Sequence, residues 1–190
     1  MKKLLLSFLM LLFSMSVFAQ LASVEKSVTG IQAGYLGLWG YNELKLDNEL
    51  VFRTDLGFDG GVFMGSGLAK TGYLLNPVLS VGIKYYYNLN KRLARGKSIG
   101  GNSGDYLMLM SRFHPGGRIV ISNYNDLTTS TSVSLSALWG TRQTIGKHFI
   151  FETGFGPTYV YNMTLGNSII ERSDKSYFGL AFLLTFGYRF

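Results

Sequence analysis

Cysteine is absent from the 190-residue chain, which removes disulfide scaffolds, thiolate metal sites, iron–sulfur clusters and lipid attachment at a cysteine. Charge is scarce: charged residues make up 15%, against about 25% in an average soluble domain, too few for a charge-rich helical bundle. Proline occurs three times, whereas glycine occurs 24 times and aromatics reach 15%. Disorder needs the opposite balance, low hydrophobicity with high charge. The spacings HExxH, GxSxG, P-loop and EF-hand do not occur, so no catalytic motif, metal or cofactor is expected. Apart from one stretch at the N-terminus there is no long apolar run, so a spanning helix is not expected in the rest of the chain.

That one stretch is LLLSFLMLLF at 4–13, preceded by Lys2 and Lys3 and followed by Val17-Phe18-Ala19. A basic start, an apolar run of about ten residues and a small-x-small exit describe a secretory signal peptide; a membrane anchor would need about 18 apolar residues. The expected organisation is a signal peptide at 1–19 and one exported domain at 20–190.

The remainder has a period of two. From Phe178 to Phe190 the even positions are Phe, Leu, Phe, Leu, Phe, Tyr, Phe, and the odd ones are small or polar apart from Leu183. Side chains on a strand alternate faces, so this is a strand with one apolar side. The pattern recurs at 49–59, 77–88, 130–143 and 148–162, is less clean at 31–44 and is poorest at 104–113. A sandwich also alternates. Here, however, the apolar face carries aromatics near strand ends, as girdles at two membrane interfaces would, and the other face carries charges within the strands. The expectation is an all-β, transmembrane, antiparallel up-and-down barrel.

The closing aromatics Tyr188 and Phe190 resemble the last strand of outer-membrane β-barrel proteins of the OmpX or OmpA-barrel kind. The stretches KYYYNLNKR at 84–92 and GNSGDYL at 101–107 are similar to those of small, mostly uncharacterised barrels of the Bacteroidota outer membrane. The resemblance implies an outer-membrane location in a Gram-negative cell, membrane lipid as surroundings, and recognition of Tyr188 and Phe190 by the barrel-assembly machinery.

Seven strand segments are visible, whereas a single-chain bacterial barrel has an even number. Eight strands are expected, the eighth in 20–30, 60–75 or 163–175. Eight strands enclose a bore that side chains fill. The inward set is Arg53, Lys84, Arg112, Arg142 and Arg189 with Asp55, Asp59 and Glu152, a charge network that plugs the barrel, with inward glycines (Gly57, Gly82, Gly154, Gly156, Gly187) making room for the arginines. A structural or surface-interaction role through outer loops, toward an unidentified extracellular ligand, follows. The alternatives are a narrow pore in which the cationic excess favours anions, and a rim-located lipid-modifying enzyme using His114 with Ser122 and Asp126. The basic run NKRLARGKS at 90–98 reads as a solvated turn or a contact with anionic headgroups, not a nucleic-acid site.

Overall fold

The computed structural model describes residues 22–35, 37–63, 71–116, 121–123, 129–164 and 175–190; the expected signal peptide lies outside them. Nine strands form one sheet among these residues: β1 (Ser27–Gly34), β2 (Gly37–Lys45), β3 (Leu50–Phe63), β4 (Gly72–Tyr86), β5 (Gly104–His114), β6 (Ile121–Ser122), β7 (Thr131–Ile145), β8 (Phe149–Thr164) and β9 (Ser176–Arg189). Eight of them close into an antiparallel barrel in which each pairs with its neighbours in the chain, and β9 returns to β1. Two-residue β6 adds to the upper edge of β4, at Leu74 and Leu75.

None of the three segments set aside for the eighth strand supplies it alone. It comes from dividing the segment 31–44. β1 starts earlier, at Ser27, and turns tightly between the paired Gly34 and Gly37 into β2. A two-residue connection reverses the parity of the inward face. Val28, Gly30 and Gln32 point inward in β1, and Trp39, Tyr41 and Glu43 do so in β2. Read as one strand, that stretch had to look blurred. The division also gives β9 an antiparallel partner, Gly30 to Gly34 against Arg189 to Thr185, which a seven-strand arrangement could not.

The connections after β2, β4 and β7 lie at the barrel end that also holds Ala22 and Phe190; this end is called the base, and the other the mouth. The base is capped. The β4–β5 connection contains a short helix, α1 (Leu89–Ala94), and a 3-10 turn (Gly100–Asn102). Leu89 of α1 packs with Ala22, Val24, Val51, Tyr86 and Tyr106 into an apolar stopper. The N-terminal segment is held there by Asn90 Oδ1, which accepts from the Ala22 amide at 3.0 Å, and by Asn102 Oδ1, which accepts from the Glu25 amide at 2.8 Å. KYYYNLNKR and GNSGDYL therefore build this cap: Asn88 Oδ1 accepts from the Asp105 amide, and Gly101 and Asn102 take φ of 63° and 59°.

The outward faces of the eight barrel strands carry one charged residue, Asp105, at the base end of β5. Their other outward positions are mainly Leu, Ile, Val, Phe and Tyr, with Phe182 79% and Leu180 69% exposed. Outward tyrosines lie towards both ends, Tyr85 and Tyr188 near the base and Tyr73 and Tyr159 near the mouth, while Phe155 and Phe182 lie between.

Candidate functional site

The lumen divides into three tiers. The middle tier is a closed network of six charged groups from five strands, with no more than a few per cent of any of them exposed. Glu43 and Arg53 face each other across β2 and β3, and Arg142 and Glu152 across β7 and β8, the opposed-charge pairing that antiparallel strands favour. Lys84 reaches both carboxylates from β4. Arg53 Nη1 donates to Glu43 and to Glu152 at 3.0 Å each, its Nη2 to Asp55 at 2.8 Å and to Gln32 Oε1 at 2.9 Å. Arg142 donates to Glu43 at 2.8 Å and to the Tyr41 hydroxyl at 2.9 Å. Charges withdrawn from water need this density of partners, since an unpaired one would carry its full desolvation cost. The cations also lie over aromatic faces: Arg53 and Arg142 both sit about 5 Å from the Tyr41 ring centre, and Lys84 sits 4.0 Å from that of Tyr106.

Glu43 is the member that sequence reasoning missed. It binds all three cations and also accepts from Tyr86 Oη at 3.1 Å and Asn102 Nδ2 at 2.9 Å. The signal that could have found it is its parity with Trp39 and Tyr41, hidden while 31–44 was read as one strand.

Three residues expected in one network with these, Asp59, Arg112 and Arg189, stand elsewhere. Asp59 forms the mouth tier, accepting from Trp39 Nε1 and Arg112 Nη1 at 2.8 Å each, with His114 Nε2 2.9 Å from its Oδ2. Trp39, Asp59 and Arg112 border a cavity of about 400 Å³ that reaches Leu183, Thr185 and Tyr35. Arg189 forms the base tier: it binds Glu25 at 2.8 Å, and Glu25 in turn accepts from the Gly101 amide. Each of the five luminal cations thus meets a carboxylate, Arg112 at Asp59, Arg189 at Glu25 and the rest in the middle tier. The cationic excess expected from the sequence is cancelled by Glu25 and Glu43.

The inward glycines expected to make room for arginines do not face them: a Cβ would first meet backbone of the neighbouring strand at Gly57, Gly82, Gly156 and Gly187 and the Tyr106 hydroxyl at Gly154, and other inward glycines serve rings. A Cβ on Gly30 would meet the Tyr41 ring at 2.9 Å, one on Gly34 the Trp39 ring at 2.9 Å, and one on Gly140 the Tyr106 ring at 2.6 Å. Flat aromatic side chains lie across these bare backbone positions and fill the bore.

Of the proposed catalytic trio, His114 is held by Asp59, Ser122 Oγ donates to the Tyr73 carbonyl at 2.8 Å, and Asp126 lies outside the described residues. No group of His, Asp and Glu suited to a metal ion occurs among the described residues. At the base, Tyr188 stacks on His148 with ring centres 5.1 Å apart, and Phe190 lies 6.0 Å from Tyr188. No family model, curated protein or solved structure matches the chain.

Proposed function

We propose that the protein is an integral outer-membrane barrel that does not conduct, and that it acts through its mouth end in a structural or surface-binding role. The observation that carries the membrane reading is the outward face: over eight strands it bears a single charge, Asp105, placed at the base. A barrel in water would lose solubility with such a surface, whereas hydrocarbon requires it, and tyrosines near both ends suit the two interfaces. The middle-tier network supports the absence of conductance, because six strands contribute side chains that bond across the bore: Gln32, Glu43, Arg53, Lys84, Arg142 and Glu152. The cap at the base is a second stopper in series.

The pore reading loses its electrostatic basis with the cationic excess. An acyl-transfer role would rest on His114 and its partner Asp59, of which Asp59 lines the mouth cavity, but it lacks a nucleophile placed beside them by any contact described above. Asp59, Arg112 and Trp39 around the 400 Å³ cavity at the mouth support the reading that this end meets an extracellular partner.

The test is refolding of the chain in detergent, circular dichroism for β content, and conductance in a planar bilayer. A folded, inserted and electrically silent protein is expected. Discrete current steps would overturn the plugged reading, and a folded product that stays in water without detergent would overturn the membrane reading.

A further inference from the structure

Two concavities lie one above the other on the outside of the barrel, sharing the strands β4, β5 and β7. The upper is an apolar groove of about 610 Å³. Its floor is the small side chain of Ala137, between Leu107 and Leu109 on one side and Phe155 and Pro157 on the other. Below it, at the base, is a pocket of about 530 Å³ lined by Lys91, Arg92, Arg95 and Lys97, with Tyr87, Asn88, Asp105 and Gln143. The strands run continuously from one to the other: Ile83 and Tyr85 line the groove and Tyr87 the pocket on β4 and its exit, Leu107 and then Asp105 on β5, Trp139 and then Gln143 on β7.

The junction is marked by a hydrogen bond, Trp139 Nε1 to Tyr87 Oη at 2.7 Å. Indole and phenol groups settle where hydrocarbon meets headgroup. Just beyond it, Arg92 is fixed across the β4–β5 connection by the Ser98 carbonyl and by Gln143 Oε1, both at 3.0 Å. Four cations face one carboxylate, and that carboxylate, Asp105, is engaged by Asn88 Nδ2.

We propose that these two concavities are one binding site for an anionic glycerophospholipid of the leaflet that surrounds the base, its phosphodiester in the basic pocket and an acyl chain along the Ala137 groove. The inference rests on the membrane reading above. Charge complementarity selects the headgroup: a zwitterionic lipid brings a positive group that four cations repel, whereas a net negative one is attracted by each of them. The groove selects a chain over a free anion. Of the two tryptophans, Trp139 borders the groove, and Trp39 is buried inside the lumen, so Trp139 emission reports what occupies the site.

The test places the full chain in phosphatidylcholine bilayers in which a tenth of the lipid is brominated high on the acyl chain. The brominated component is either phosphatidylglycerol or phosphatidylcholine. Brominated phosphatidylglycerol is expected to quench Trp139 about twofold more than the same fraction of brominated phosphatidylcholine. The triple variant K91Q/R95Q/K97Q changes exposed side chains at the base; it should fold normally and lose the excess. Bilayers made wholly of brominated phosphatidylcholine separate the two readings, because they quench any inserted barrel. Quenching there with equal effects of the two diluted lipids overturns the lipid site alone, including the case of a pocket that takes only free phosphate. An excess that persists in the triple variant also overturns it. No quenching even in the wholly brominated bilayer overturns the membrane reading and this site with it.

Discussion

Glu43 is where the middle tier depends on one side chain. Its two oxygens serve Arg53, Lys84, Arg142, Tyr86 and Asn102. Removing it leaves three fully buried cations to share Glu152 and Asp55. Glu43→Ala is expected to cost about 3–5 kcal/mol, the range for breaking a buried ion pair from one side, read as a lowered urea midpoint for refolding in detergent micelles. Asp59→Ala should cost less, since Asp59 and its partners Arg112 and His114 keep about a fifth of their side-chain surface in contact with solvent. At this scale the sequence showed most of the network. Arg53, Asp55, Lys84, Arg142 and Glu152 lie on strands with clean alternation, so their inward direction was legible. Glu43 was not, because its direction depends on the turn between Gly34 and Gly37 that precedes it.

Elements fit by close approach that composition does not reveal. Gly140 faces the Tyr106 ring at a distance that leaves no room for a side chain, whereas a Cβ on the inward Gly179 would meet only the Thr158 methyl, at 3.6 Å. Gly140→Val should push Tyr106 off β7 and away from Lys84, costing about 1–3 kcal/mol as overpacking does. Gly179→Val should be close to neutral; comparing the two urea midpoints separates crowding at Gly140, by the Tyr106 ring and the Thr153 carbonyl, from β-propensity. The cap is a separate unit. Glu25 joins the N-terminal segment to both Arg189 and the Gly101 amide. Glu25→Ala is therefore expected to speed hydrogen exchange at Gly101 and Asn102 without changing exchange at the amides of Arg53 or Arg142, which belong to strand ladders. The KYYYNLNKR and GNSGDYL stretches were legible as distinctive. That their asparagines hold the base shut required the fold, since Asn102 is 59 residues from Glu43 and 77 from Glu25.

At the scale of the molecule, the barrel is a closed sheet whose two surfaces have opposite chemistry. Along β9, spin labels at Phe182 and Leu184 are expected to respond to oxygen dissolved in lipid, and labels at Leu183 and Thr185 are not. Equal responses at all four would sink the barrel-in-membrane reading. The wall is also lower on one side, because the β1–β2 hairpin turns at Gly34 and Gly37 while β3 continues to Phe63 and β9 begins at Ser176. Tyr35 at that hairpin, with Phe182 and Leu184 of β9, borders the mouth cavity.

The sequence by itself determined the strands and their two faces, because strand alternation is local: a side chain two positions on points the same way whatever lies across the sheet. It determined the all-β class and the inward placement of charges on every cleanly alternating strand. Only the tertiary structure decided where the eighth strand lies, which carboxylate answers which cation, and what stops the bore. Those depend on register between distant segments. Arg142 meets Glu43 across 99 residues and Arg189 meets Glu25 across 164. Closure of β9 onto β1 brings such pairs together, and no spacing along the chain records it.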